Sequence, residues 1–227
     1  MRTLFTIFLT IFLNSILFGT AQTSDILIYN GKKYELYCNP LEKYFKKYPN
    51  KHPNNLIGEN DVRIESSDLW RGYVATFEII ENQLYLKDIE IESVSDTSDI
   101  INSEIIWKSV LNKVFTNQEL VKVDWMTGLL IIPDGEIVNY VHMGYVSTFE
   151  RYIILEIDEG NLKRETRLEH EEYDEFREKQ FIAFKKTDDY KKKKAKMQEN
   201  GYDVEFIDSF LQVFEVEYLL INKKEEE

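Results

Sequence analysis

Three histidines, His52, His142 and His170, are the residues of this 227-residue chain that could exchange protons near neutral pH. None stands in an H-E-x-x-H pair, and the single cysteine, Cys38, has no histidine at ligand spacing, so neither a zinc set nor any other metal or cofactor site is expected. His52 lies in a Pro/Asn-rich stretch and His170 in the charged run "EHEEYDEF"; both read as solvated. His142, in "YVHMGYVSTFE", is the candidate catalytic residue. On a strand of period two it shares a face with Val138 and Tyr140, while Val141, Met143 and Tyr145 take the other. Gly144 beside it allows a bulge or the close approach of another backbone. Ser147 is not in a G-x-S-x-G elbow, and spacing assigns it no partner acid. The ordinary expectation for such a histidine is a hydrogen-bonded structural role.

Carboxylates are abundant, 41 in all against 28 lysines and arginines. Asp88 with Glu90, or Glu150 with Glu156, could act as the acid and base of a glycosidase-like hydrolase, but only at a particular separation in space. A charged solvent face on a half-buried sheet is the simpler reading. "SDTSD" and "PDGE" lack the ligand spacing of a calcium-binding EF-hand loop. Rings that could grip a ligand are Trp70, Tyr73, Tyr140 and Tyr145, the candidate binding residues; core filling is the default for them and for Phe77, Tyr85, Trp125, Phe149 and Tyr152. The block "KKTDDYKKKKAK" reads as a solvated helix face balancing acidic neighbours.

The chain opens "MRTLFTIFLTIFLNSILFGTAQ", with Arg2 before an apolar run from Leu4 to Phe18 and small residues at Gly19, Thr20 and Ala21. This is the pattern of an export signal cleaved after Ala21, residues 1–21, which leaves a product without stable membrane insertion. Removing Arg2 changes the net charge from −13 to −13 − 1 = −14. Such a charge repels phosphate backbones and anionic lipid, so nucleic acid is not an expected partner and a basic protein is. With one cysteine no internal disulfide forms, and Cys38 reads as a small buried hydrophobe.

The elements that must position these residues follow from local signals. "DILIYNGKKYELY" is a hairpin around Asn30-Gly31, and "NPLEKYFKKY" a short helix capped by Asn39 with Pro40 at its first position. A loop runs from Pro49 to Ser67. "WRGYVATFEIIENQLYLKDIEIES" is a second hairpin turning near Glu81-Asn82, with Tyr73, Ala75, Phe77 and Ile79 on one face and a bulge near Lys87-Asp88, where the apolar phase shifts. Ser103 caps an expected helix carrying Ile106, Trp107, Val110, Leu111, Val114 and Phe115. Strands "LVKVDWMTGLLIIP", "EIVNYVHMGY", "TFERYIILEI" and "LKRETRLE" follow, turning at Pro133-Asp134-Gly135 and at Asp158 to Asn161. From His170 the pattern is helical, with Thr187 capping a second helix that stops at Asn200-Gly201. A last stripe from Ile207 to Ile221 suits a helix, although 213–221 would also serve as a strand, and 223–227 reads as a frayed tail.

The stretches "LWRGYVATFEI", "LYLKDIEI" and "VHMGYVSTFERYIILEI" resemble exported bacterial proteins to which no activity is attached. The resemblance implies a bacterial origin and carries over no functional residue. The reading is therefore one α+β domain, residues 22–222: an antiparallel meander of six to eight strands with helices on one face and a helical C-terminal region. Its expected role is that of an acidic protein of the periplasm or cell exterior, a non-enzymatic binding module that masks a basic partner such as a toxin. The alternative is an exported hydrolase using carboxylates and His142.

Overall fold

Asn30 and Gly31 both take positive φ, 50° and 75°, and so join β1 (Asp25–Tyr29) to β2 (Lys32–Leu36) through a tight turn. These coordinates are a computed structural model that describes residues 21–56, 64, 66–96, 98–99, 101–142 and 144–214. The expected leader before Ala21, part of the 49–67 loop, residues 215–221 of the last apolar stripe and the 223–227 tail lie outside the described residues. Pro40 opens α1 (Pro40–Lys47) as expected, with Leu41 and Phe45 buried, but Asn39 makes no side-chain cap; its carboxamide oxygen accepts from Tyr145 instead. The described part of the following loop forms two single turns, Pro49–Lys51 and Pro53–Asn55.

Strands β3 (Val74–Ile80) and β4 (Gln83–Val94) meet at Glu81-Asn82, where both residues again have positive φ. Thr76 faces Asp88 and Phe77 faces Leu86, so Lys87 is the extra residue of the expected bulge. The expected helix from Ser103 is overturned. Ile105–Ser109 is a strand, β5, antiparallel to β4, and only one helical turn, α2 (Leu111–Val114), follows it. Ile-Ile-Trp suits an extended backbone, and the second half of β4 offers it a ladder. Ser103 clasps its own loop, its hydroxyl lying 2.6 Å from the Asp96 carbonyl.

Past the short β6 (Val121–Lys122), β7 (Gly128–Asn139), β8 (Thr148–Asp158) and β9 (Asn161–Glu169) form antiparallel pairs. Pro133-Asp134-Gly135 is not a turn but an irregularity inside β7. Gly135 has φ +86°, Arg151 holds Asp134 at 3.1 Å, and Glu150 accepts from the Glu136 N–H, so the irregular stretch stays stitched to β8. The turn at Asp158 to Asn161 is as expected.

The whole is α+β, but the sheet is mixed, has nine strands among the described residues and is not a pure meander. Its path is β2-β1-β3-β4-β9-β8-β7, with β5 and β6 also on β4. β1 and β3 run parallel, because the chain between them passes through β2, α1 and the long loop before it returns. The Tyr37 N–H donates to the Ile131 carbonyl, so the end of β2 reaches β7 and the sheet curls round.

Nor do the helices keep to one face. Leu41 and Phe45 of α1, with Leu111 and Val114 of α2, pack inside the curl against Leu27, Phe77, Leu86, Leu130 and Leu155. α3 (His170–Phe184) lies outside it, with Tyr173 stacked on Tyr152 at 3.7 Å. α4 (Asp188–Glu199), capped by Thr187, and α5 (Val204–Phe214) close a small core of Phe181, Phe184, Tyr190, Ile207 and Leu211.

Candidate functional site

β1 alternates, burying Asp25, Leu27 and Tyr29 inside the curl and leaving Ile26 and Ile28 on the outer face. That alternation positions two groups of polar residues, one on each side.

Inside, Asp25 and Arg71 form an ion pair at 3.2 Å, 0% and 1% exposed. Asp25 Oδ1 also accepts from the Ala75 N–H (2.9 Å), while Oδ2 has no hydrogen-bond partner. Arg71 donates to the Thr23 carbonyl (3.0 Å) and to the Tyr145 hydroxyl (2.9 Å) and lies 5.5 Å from the Tyr73 ring. The Tyr145 hydroxyl reaches the Asn39 carboxamide oxygen (3.0 Å), and its ring stacks on Tyr37. The Tyr73 hydroxyl donates to Glu42 (2.7 Å). Burial pushes the Asp25 carboxyl up to about 6, against the pull of Arg71 and of the Ala75 N–H. Burial also opposes the charge on Arg71, but Asp25 and Tyr145 outweigh it and the net direction is up. This cluster ties the start of the described chain, the turn before β3 and the segment before β8 into one knot. Its charged pair is buried, and its hydrogen bonds hold those three segments together.

Outside, a groove of about 500 Å³ runs over the sheet, lined by Thr23, Ser24, Ile26, Lys33, Tyr34, Glu35, Val74, Glu90 and Trp107. Pairing explains the assembly. Ile26 faces Glu35 on β2 and Thr76 on β3, Val74 faces Glu90, and Glu92 faces Trp107, so all project to one side. Ile26 and Val74 make an apolar floor, and the half-exposed Trp107 a wall. Burial, helped by Asp88, raises the Glu90 pKa, and Lys33 pulls it back. A recess with an aromatic wall and one partly dehydrated carboxylate, Glu90, suits a cation on an apolar stem.

The candidate residues read from the sequence fall into separate places. Tyr73 and Tyr145 meet at Arg71 inside the fold. Tyr140 and His142 meet each other, hydroxyl to Nδ1 at 2.8 Å, on the surface. His142 is not on a strand: β7 ends at Asn139, and the ring stands in the exposed connection to β8. Trp70 is 63% exposed in the turn before β3. None of His142, Trp70, Tyr73, Tyr140 or Tyr145 lines the groove. His52 is not simply solvated, since its ring packs on Phe45 and Tyr73 and its Nδ1 accepts from the Asn54 N–H. Cys38 is buried, as expected.

The carboxylate pair Glu150 and Glu156 is split along β8. Six residues of strand put the two about 20 Å apart, beyond glycosidase range, and each has its own arginine, Arg151 and Arg164. Asp25, Arg71, Lys33, Glu35 and Trp107 were not singled out from the sequence as site residues. For Asp25 a signal existed: period two places it on the face of Leu27 and Tyr29. Comparison with models of known protein families, with curated proteins and with solved structures gives no match.

Proposed function

We propose that this chain is an exported acidic binding protein without catalytic activity, and that its outer-face groove takes a lysine or arginine presented on an apolar segment of a basic protein partner. The observation that carries the reading is the convergence of Trp107, Ile26 and Val74 with Glu35 and Glu90 around one recess. Burial, with Asp88, keeps the Glu90 pKa raised even with Lys33 beside it, so an arriving cation adds a further favourable interaction for the ionised form. A net charge of −13 for the full chain, −14 without the leader, adds long-range attraction for a basic partner. Export rests on the leader, and the bacterial origin on the resemblance described above.

The test is calorimetric titration with two synthetic peptides, one alternating lysine with leucine and one alternating glutamate with leucine, at low and moderate salt. The basic peptide should bind, more weakly as salt rises, and the acidic one should not. Glu90→Gln and Trp107→Ala should each weaken binding about tenfold, one charge-assisted contact or one ring face being worth about 1.4 kcal/mol. His142→Ala should leave it unchanged. Equal binding of both peptides, or variants that bind as the parent does, would refute the assignment.

A further inference from the structure

β5 is flanked by β4 alone among the described residues, and it carries Ile105, Ile106 and Trp107 at 62%, 38% and 46% exposure. An edge strand with large apolar side chains exposed on both faces is a template for another strand. The question is which strand it fits.

The hydrogen-bonding phase narrows the answer. The Glu104 carbonyl accepts from the Ser95 N–H, and the Val110 N–H donates to the Ile89 carbonyl. Even-numbered residues therefore turn their backbone groups towards β4, and the amides and carbonyls of Ile105 and Trp107 point to the open side. The sequence there is Glu104-Ile105-Ile106-Trp107-Lys108. Two such strands, antiparallel about a two-fold axis at Ile106, set Ile105 opposite the partner's Trp107 as a hydrogen-bonded pair, which the outward groups of both residues allow. Ile106 then meets the partner's Ile106, and Glu104 meets the partner's Lys108 twice, once on each side of the axis. Apolar against apolar and acid against base fall into place at every position.

We propose that β5 is the contact of a symmetric homodimer in which the sheets of two copies join edge to edge in this register. The occupant is a second copy because the pentapeptide is its own complement in charge as well as in hydrogen-bonding phase. A basic partner strand would satisfy Glu104 but would set a like charge against Lys108. The pairing places the partner's Ile105 beside Trp107 on the groove side of the sheet, so the two grooves run into one across the axis. It stands independently of what the groove binds.

Sedimentation velocity of the purified protein over a range of concentrations tests the contact. The parent should pass from monomer to dimer as concentration rises. Glu104→Lys alone and Lys108→Glu alone each place like charges opposite at two positions and should weaken the dimer about thirtyfold. Mixed together, the two variants should form a one-to-one heterodimer, and the double variant E104K/K108E should recover the parent's affinity. Both substituted positions are exposed, and circular dichroism of each variant confirms that it is folded. A parent that stays monomeric at every concentration overturns the proposal, and so does a dimer indifferent to the single charge changes. Single variants that fail to reassociate on mixing refute the register. Binding of the basic peptide by a monomeric E104K would uphold the groove reading, so the two proposals can fail separately.

Discussion

Arg71→Met removes the cation from the buried pair with little change in shape, and its cost should depend on pH in a direction the structure fixes. In the parent, Asp25 Oδ1 has two donors, Arg71 and the Ala75 N–H; the variant leaves only the second, with the carboxylate still fully buried. Breaking a buried ion pair from one side costs about 3–5 kcal/mol, because the surviving charge is uncompensated. The parent itself is already strained at this point. The Asp25 pKa is about 6 in the fold against 3.8 in the unfolded chain, so ionising it within the fold costs about 3 kcal/mol at neutral pH.

The folded state thus holds the Asp25 proton more tightly than the unfolded state does. The stability this contributes is fully present below about pH 4 and is lost as pH rises through about 6. Without Arg71 the attraction that pulls the pKa down is gone, so the loss continues to higher pH. Urea unfolding followed by circular dichroism should therefore show R71M several kcal/mol less stable than the parent at about pH 7.5, with a markedly smaller deficit at about pH 4.5, where Asp25 is protonated in both. The double variant D25N/R71M, which buries neither charge, should recover most of the deficit. A deficit below about 1 kcal/mol at neutral pH, or one that is the same at both pH values, would refute the view that the knot is held by an ion pair at its desolvation limit.

Two further substitutions probe the frame. Gly160→Ala should cost more than Gly31→Ala although both glycines have similar φ, +77° and +75°: a methyl at 160 would lie 2.5 Å from the Val123 carbonyl oxygen, whereas nothing lies within 4 Å at 31. The left-handed backbone alone accounts for about 1 kcal/mol at 31, and urea midpoints should place the loss at 160 at least about twice as high. Tyr173→Ala removes the ring stacked on Tyr152 and should cost about 3 kcal/mol; because α3 meets the sheet through that ring, limited proteolysis should cut the variant first within α3.

What could be read from the sequence was local. The Asn30-Gly31 and Glu81-Asn82 turns each need positive φ at both central residues, which Asn and Gly tolerate best, and the bulge at Lys87 shows as a slip of apolar phase within one strand. Gly135 misleads for the same reason that those turns succeed. Its φ of +86° is real, but Arg151 and Glu150 on β8 use it to bend a strand rather than end one, and that support comes from residues 15 and more positions away. The parallel pairing of β1 with β3 depends on a return of the chain after β2 and α1, which no neighbouring residue encodes.

The groove's aromatic wall is masked in the sequence by a competing periodicity. Ile106, Trp107, Val110, Leu111, Val114 and Phe115 stand at helical spacing, and as a helix they would have turned Trp107 into the core. The ladder along the second half of β4 makes 105–109 a strand, and this one change sends Trp107 to the outer face opposite Glu92, next to Glu90 and above Val74. Helical periodicity and a β-branched, aromatic run compete within the same dozen residues, and the open side of β4 decides between them. The groove wall and the edge of β5 that no described strand pairs with are therefore consequences of one pairing. Any substitution that restores helix to 104–115 should abolish both together, and proline at Ile106, which removes an amide turned towards β4, is the direct way to unpair β5 and ask whether groove and dimer are lost in the same step.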